Sequence, residues 1–303
     1  MQDNYCPDRA ANRCHYRAIR YTVIPLYINQ RQKETDIIML IADHISYEAG
    51  KRTLVNGLSF SLRPGEMLVV LGANGAGKST LLRMLSGERK PSKGSINLHG
   101  KCISSYSSPA LALKRAVLNQ QNIINMAFMA QEIVMMGRYP HYQNHPSAKD
   151  KEICDEVMKL TGITQLAERS YLSLSGGEQQ RVQLSRILAQ IWDVPNALLL
   201  LDEPVSGLDL QYQQQTLAIA KALAQKGFMV IGILHDINLA AQYADRILML
   251  KNGRKWYDGT ASEVLNTKNI YEVFEIDADV FTNPRTLKPF FIPKNTNVQI
   301  NSF

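Results

Sequence analysis

Residues 72–79 (GANGAGKS) form a glycine-rich stretch that follows the apolar run 67–71 and precedes the predicted helix 78–85. A strand, a glycine-rich loop and a helix in this order point backbone N–H groups and the positive helix end at an anion. The order predicts a loop for the phosphates of a nucleoside triphosphate, with Lys78 at the β- and γ-phosphates and the Ser79 hydroxyl on Mg²⁺. The residues expected to bind the nucleotide here are Gly72, Ala73, Asn74, Gly75, Ala76, Gly77, Lys78, Ser79 and, through its hydroxyl, Thr80.

Two carboxylates, Asp202 and Glu203, end the leucine run 198–201. An apolar run of this kind predicts a strand buried on both faces, and nucleotides bind at the carboxyl edge of such sheets. We expect Asp202 to hold Mg²⁺, directly or through water, and Glu203 to polarise the attacking water as general base or positioner. The alternative is an exposed acidic turn before Pro204, which the upstream phosphate loop disfavours.

A second candidate anion site lies between these two motifs, in residues 174–181 (LSGGEQQR). Gly176 and Gly177 precede a helix predicted to begin at Glu178, and Ser175 adds a hydroxyl to the N–H groups of the helix start. A predicted helical insertion separates this site from the phosphate loop. One chain therefore cannot easily bring the two sites together.

The elements that must position these residues alternate in an α/β pattern, with predicted strands at 39–42, 67–71, 198–201, 230–234 and 246–250. Residues 122–173 differ, because 130–136 and 147–160 both have helical spacing and Ser147 offers an N-cap. Residues 1–38 show no sustained helical or strand periodicity. They are expected to form a poorly ordered extension. One alternative is that Met39 is the biological start of the protein. The other is that residues 1–38 form an arm that contacts a membrane surface.

Composition narrows the class of protein. The 303 residues are 45% hydrophobic and 20% charged, which is ordinary for a chain with a sizeable core. The net charge of +7 is scattered, without blocks of like charge or interleaved aromatics, and this disfavours a nucleic-acid partner. Dispersed cysteines without a C-x-x-C pair fit a reducing cytoplasm. No apolar run approaches the ~20 residues of a spanning helix, so a membrane role would depend on a partner.

Taken together, the motifs resemble those of the ATP-binding-cassette (ABC) ATPases over residues 39–265. The resemblance implies a P-loop NTPase (RecA-like) α/β core with an antiparallel β subdomain and an α-helical subdomain inserted at about 122–182. It implies ATP and Mg²⁺ as ligands. Residues 266–303 are left as a C-terminal tail without an assigned role.

The resemblance also gives roles to residues that would mean little alone. Tyr47 matches an aromatic that stacks on adenine, and Gln120 matches a glutamine that contacts the metal and the attacking water, with Gln121 as the alternative. His235 matches the switch histidine that contacts the γ-phosphate. Asp209 belongs to a segment similar to the D-loop, which touches the opposite subunit. The implied catalytic residues are Glu203, His235 and Gln120, and the implied metal ligands are Ser79, Gln120 and Asp202.

In this family the LSGGEQQR-type signature of one subunit closes over ATP held by the other. The resemblance thus implies a head-to-tail homodimer around two ATP molecules, in which Ser175, Gly176, Gly177 and Glu178 contact the nucleotide of the partner. Ala73, Asn119 and Val205 depart from residues frequent in the family. None of them removes a catalytic group, so we expect altered loop rigidity and retained function.

Residues 134–141 (VMMGRYPH) are similar to the corresponding segment of importers for iron-siderophores, cobalamin and hemin. Residues 179–192, 209–215 (DLQYQQQ) and 235–247 are closer still to those of hemin-import ATP-binding proteins. This likeness implies two permease subunits in the membrane, a periplasmic hemin-binding protein as an indirect partner and a peripheral position on the cytoplasmic face of the inner membrane. The same machinery serving a ferric siderophore or cobalamin is the first alternative. A non-transport ABC ATPase is the second.

Overall fold

The computed structural model describes residues 40–120 and 124–295. The expected extension 1–38 lies outside the described residues, as do Met39, Gln121 and residues 296–303. The strands are β1 (Leu40–Ala49), β2 (Arg52–Leu62), β3 (Met67–Gly72), β4 (Lys93–Leu98), β5 (Lys101–Cys102), β6 (Arg115–Leu118), β7 (Leu198–Asp202), β8 (Met229–Ile233), β9 (Arg246–Lys251), β10 (Arg254–Gly259), β11 (Ala278–Thr282) and β12 (Pro289–Pro293). The α-helices are α1 (Lys78–Leu85), α2 (Ser108–Ala112), α3 (Ala130–Met136), α4 (Ala148–Leu160), α5 (Gly176–Ile191), α6 (Leu210–Gln225), α7 (Ile237–Tyr243), α8 (Ala261–Val264) and α9 (Thr267–Phe274).

A six-stranded sheet in the order β10-β9-β3-β8-β7-β6 forms the centre of the fold. Its strands are parallel except for β10, which pairs antiparallel with β9. Every residue of β3, β7 and β8 is buried, as expected for apolar strands covered on both faces. Their carboxyl ends therefore meet at one edge of the sheet.

A four-stranded antiparallel sheet, β2-β1-β4-β5, lies on the other side of α1. One apolar cluster joins this sheet, through Leu81 and Leu85 of α1, to Leu68 of β3 and Leu200 of β7. The helix that follows the phosphate loop is thus fixed by burial between two sheets. The expected α/β class, with a parallel core, an antiparallel sheet and inserted helices, is confirmed.

Helices α3, α4 and α5 form a group inserted between β6 and β7. The predicted N-cap Ser147 accepts a hydrogen bond from the Asp150 N–H, and the Asp150 carboxylate accepts one from the Ser147 N–H in return. Helix α5 begins at Gly176, two residues before the predicted start, because Ser175 is its N-cap. The boundary of a helical subdomain at 122–182 stays a prediction.

Arg138 joins the three inserted helices through a buried set of charges. Its side chain is 2% exposed and donates to Asp150 at 2.8 Å, to Asp193 at 2.9 Å and to the Ala189 carbonyl at 2.8 Å. Burial alone would raise the pKa of Asp150 and Asp193. Hydrogen bonds from Ser147 to Asp150 and from Arg138 to both carboxyls outweigh it and hold both pKa values below their ordinary range.

Residues after 265, expected to be a tail without an assigned role, contain α9 and the hairpin β11–β12. The hairpin packs on α7 through Asn238, whose side chain exchanges two hydrogen bonds with the main chain of Phe291, at 2.8 and 3.1 Å. The helix after His235 is therefore held by the last described element of the chain. Within the described ranges, no helix has the length and apolar character needed to cross a bilayer.

Arg138→Met should lower the free energy of unfolding by ~3–5 kcal/mol, because it leaves the buried Asp150 carboxylate without its cation. The ion pairs should stabilise the fold above the ordinary carboxyl pKa and lose that contribution as the pH falls through the lowered folded-state pKa values. Urea unfolding at several pH values measures both effects. Arg52→Met, at an exposed position of β2, is the matched control and should change stability by less than ~0.5 kcal/mol. Equal losses from the two variants would contradict the role given to Arg138.

Candidate functional site

The phosphate loop runs from the end of β3 to the start of α1, as predicted. Gly77 is the N-cap of α1 with φ 96°, and an added Cβ would lie 2.4 Å from the Leu54 carbonyl oxygen. Only glycine fits a position that combines a left-handed conformation with so close an approach of β2. The loop is thereby anchored to the antiparallel sheet.

Lys78 lies under this loop, where its Nζ donates to the carbonyl oxygens of Gly72 at 2.7 Å and Ala73 at 3.1 Å. Burial lowers the pKa of Lys78, although the charges of Glu203 and Asp202 oppose the shift. The two carbonyl oxygens carry only partial negative charge. A phosphate would give the Lys78 ammonium group a fully charged anionic partner. The geometry therefore suits the predicted phosphate contact.

Ser79 and Asp202 bring two oxygens together beside the loop. The Ser79 hydroxyl donates to Asp202 Oδ1 at 3.4 Å, and Asp202 is 8% exposed. Burial and then the charge of Glu203 raise the pKa of Asp202 above its ordinary value. A hydroxyl and a carboxylate are oxygen ligands that suit a hard cation. Among the described residues there is no cluster of three His, Cys, Asp or Glu side chains that could hold a metal ion.

Glu203 holds the centre of the site. Its Oε2 accepts a hydrogen bond from Gln120 Nε2 at 2.8 Å, and its Oε1 lies 2.5 Å from His235 Nε2. The Glu203 side chain is 15% exposed, and that of His235 is 48% exposed. The three residues predicted as catalytic thus meet in one cluster, although they follow three different strands.

Tyr47 lies on β1 opposite Val55, whose side chain borders Gly77. The aromatic residue predicted to stack on adenine is therefore one residue pair away from the phosphate loop. Its hydroxyl accepts a hydrogen bond from Arg89, whose guanidinium lies 5.5 Å from the ring centre.

The signature residues stand at the start of α5. Ser175 and Glu178 form a capping box, in which Glu178 Oε2 accepts from the Ser175 N–H at 2.8 Å. These bonds lower the pKa of Glu178. Asp209, another predicted contact, caps α6 by accepting from the Tyr212 N–H at 3.0 Å. In the part of the chain that the structure describes, no hydrogen bond of Ser175, Glu178 or Asp209 reaches the phosphate loop.

The sequence did not single out one residue of this region. Gln180, on α5, donates to the carbonyl of Pro204, the residue after Glu203, at 2.7 Å. The available signal was its helical spacing from Gly177, which places both residues on one face of α5.

Comparison with known proteins places the chain in a family. Residues 55–206 match the family described as ABC transporter. A hemin import ATP-binding protein, HmuV, of Gloeobacter violaceus is 44% identical over 84% of this chain and 94% of its own. The chain belongs to the ATP-binding proteins of the ABC transporter family. It is therefore an ATP-binding ATPase.

A second sequence relative and two solved structures are also similar to this chain. The HmuV of Pseudomonas aeruginosa is 43% identical to this ABC ATPase over 84% of the chain and all of its own. A metal-chelate type ABC transporter in an inward-facing conformation aligns with a TM-score of 0.72 and 26% identity, over 86% of this chain and 98% of that one. A dimeric bacterial ABC transporter cassette aligns with a TM-score of 0.65 and 25% identity, over 73% and 98%. The predicted P-loop NTPase fold is confirmed.

Two glycines of this ABC ATPase provide a graded test of the loop. Gly77→Ala should lower the free energy of unfolding by more than ~2 kcal/mol, because it combines a left-handed φ with a clash against main chain. Gly75 also has a left-handed φ, 79°, but nothing lies within 4 Å of an added Cβ, so Gly75→Ala should cost only about 1 kcal/mol. Denaturant unfolding without nucleotide compares them. Equal costs would show that the contact with the Leu54 carbonyl does not constrain the loop.

Proposed function

We propose that this ABC ATPase is the ATP-hydrolysing subunit of a hemin importer, driving transport through a membrane permease. The observation that carries the catalytic assignment is the convergence of Glu203, His235 and Gln120 beside Lys78 of the phosphate loop. The cargo assignment is supported by the relatives named hemin import ATP-binding protein, with 41–44% identity in three of them. It is further supported by the likeness to a metal-chelate type transporter.

In the proposed reaction, Lys78 and the N–H groups of the loop bind the β- and γ-phosphates of ATP. Glu203 accepts a proton from the water whose oxygen attacks the γ-phosphorus. The bond from that phosphorus to the β–γ bridging oxygen breaks, and ADP and phosphate leave. Gln120 and His235 orient the Glu203 carboxylate through the contacts described above, and His235 also reaches the γ-phosphate.

Ser79 and Asp202 would hold Mg²⁺, with Gln120 as a further ligand, and their separation of 3.4 Å fits a shared cation. When bound, Mg²⁺ supplies neutralisation of charge on the phosphate oxygens. Tyr47 would stack on adenine.

ABC ATPase subunits of importers act as dimers with membrane permeases. For this chain we propose a head-to-tail homodimer, in which Ser175, Gly176, Gly177 and Glu178 of one subunit and Asp209 of its D-loop serve the ATP bound by the other. Ser175 and Gly176 are exposed at the start of α5, and the 16-residue helix carries a partial positive charge at that end, which supports this assignment.

A cavity of about 470 Å³ on the inserted helices supports the permease contact. Met135, Met136 and Tyr139 line it together with Phe128, and Tyr139 is 58% exposed. We propose that it receives a helix of the permease at the cytoplasmic face of the inner membrane. A periplasmic hemin-binding protein would then be an indirect partner, and no nucleic acid is involved.

Glu203→Gln should leave the dissociation constant for ATP unchanged and lower kcat by ~10²–10⁴-fold, because the amide cannot accept the proton of the attacking water. Phosphate release and binding of a fluorescent ATP analogue measure the two quantities. Glu168→Gln, an exposed position, is the control and should retain wild-type turnover. Brisk multiple-turnover hydrolysis by Glu203→Gln would remove Glu203 from the role of base.

Reconstitution with its permease and binding protein tests the cargo. The ATPase activity of the complex should rise, and uptake occur, with a hemin-loaded binding protein, and not with cobalamin-loaded or ferric-siderophore-loaded ones. Glu203→Gln is the blank. A response only to another chelate would retain the importer and reject hemin. Failure to associate with a permease would favour a non-transport ABC ATPase.

A further inference from the structure

The first turns of α5 lie along the segment that carries the catalytic carboxylate. Gly177, Gln180 and Arg181 stand at spacings of three and four residues and so share one helix face. An added Cβ at Gly177 would be 3.4 Å from Leu208, and the Arg181 guanidinium lies 3.8 Å from the ring centre of Tyr212. Gln180 Nε2 donates to the Pro204 carbonyl at 2.7 Å. Segment 203–212 is therefore held to α5 by a hydrogen bond at Pro204 and a cation–π contact at Tyr212, with Leu208 lying close to Gly177.

The turn that begins this segment is strained. Glu203 has φ 51°, a left-handed conformation that is unfavourable for a residue with a side chain. Such a conformation persists only where neighbouring structure determines it. The Glu203 N–H donates to the Ile233 carbonyl at 3.2 Å, and the Glu203 carbonyl accepts from the Ser206 N–H at 3.2 Å.

Pro204 makes the Gln180 contact specific. Proline has no N–H, so its carbonyl is the one polar group that its main chain offers. Pro204 is buried, and a buried carbonyl requires a donor. Gln180 supplies that donor from another element, and it does so one peptide away from the residue whose carboxylate must face the attacking water.

We propose that Gln180 is a positioning residue for ATP hydrolysis. Its amide holds the Pro204 carbonyl and thereby keeps the strained turn in the conformation that aims the Glu203 carboxylate at Gln120 and His235. The inference rests on the proposed role of Glu203 in hydrolysis. It also makes the start of α5 and the catalytic turn one mechanical unit, so a shift of Ser175 is transmitted to Glu203 of the same chain.

Two substitutions remove the donor in different ways. Gln180→Glu has nearly the same shape but sets a carboxylate oxygen against the Pro204 carbonyl, and Gln180→Met removes the donor without adding charge. Both should lower kcat by roughly 10–100-fold in the full-length chain, because small misplacements of catalytic groups cost this much. The dissociation constant for ATP should stay within about twofold, since the phosphate loop is untouched. Gln180→Lys keeps a donor of similar reach and should restore kcat to within about threefold of wild type.

Gln190→Glu is the matched control. Gln190 lies on the same helix and also donates to main-chain carbonyls, those of Ala112 at 2.7 Å and Arg115 at 3.0 Å, but at the far end of α5. This variant should retain kcat even if its melting temperature falls as much as that of Gln180→Glu. Equal losses of kcat at positions 180 and 190, or wild-type kcat in Gln180→Met, would overturn it.

A double variant separates this inference from the proposed function. In the Glu203→Gln background, Gln180→Met should cause no further loss of turnover, because residues that act through one group are not additive. An active Glu203→Gln would reject the proposed base and with it the role of Gln180. An inactive Glu203→Gln beside a fully active Gln180→Met would reject the role of Gln180 alone.

Discussion

The parallel register of β6, β7 and β8 determines where the three side chains proposed as catalytic meet. Leu118 pairs with Leu201, and Asp202 pairs with Ile233, so the three strands end almost flush. Each of these residues lies within two positions of the end of its strand, which leaves Gln120 and His235 on either side of Glu203. The register is itself enforced by burial, since a slipped strand would expose apolar side chains and bury the carboxylates without partners.

Other parts of the fold support the residues at the carboxyl edge of the parallel sheet. The antiparallel sheet fixes the phosphate loop from one side through the approach of Leu54 to Gly77. The inserted helices contact the turn after Glu203 through α5. They also carry the cavity lined by Tyr139, and the buried side chain of Arg138 connects them. The C-terminal hairpin supports α7, which follows His235. The loop, the turn at Glu203 and the helix after His235 are thus each supported by a different part of the fold.

Much of this arrangement could be predicted from the sequence, because its strongest signals are local. The apolar runs of β3 and β7 are continuous and predict buried strands. The glycines of the phosphate loop and the carboxylates at 202–203 follow these runs directly, so the same local sequence predicts both the strand and the functional residues at its end. His235 was accessible only through its position after a predicted strand and the family resemblance. Gln180 and Arg138 escaped prediction because their partners, Pro204, Asp150 and Asp193, are defined by tertiary packing and carry no spacing rule. The predicted start of α5, Glu178, is two residues too late because Ser175 caps the helix and both glycines lie within it.

The residues proposed to form the nucleotide site are spread from Tyr47 to His235 along the chain, and this spread couples nucleotide binding to the stability of the fold. An unfolded chain holds no such site, so ATP binds the folded form alone. At a concentration a hundred times its dissociation constant, a ligand of this kind adds ~2.7 kcal/mol to the apparent stability. The apparent stability of the chain would therefore fall as the nucleotide concentration falls toward the dissociation constant.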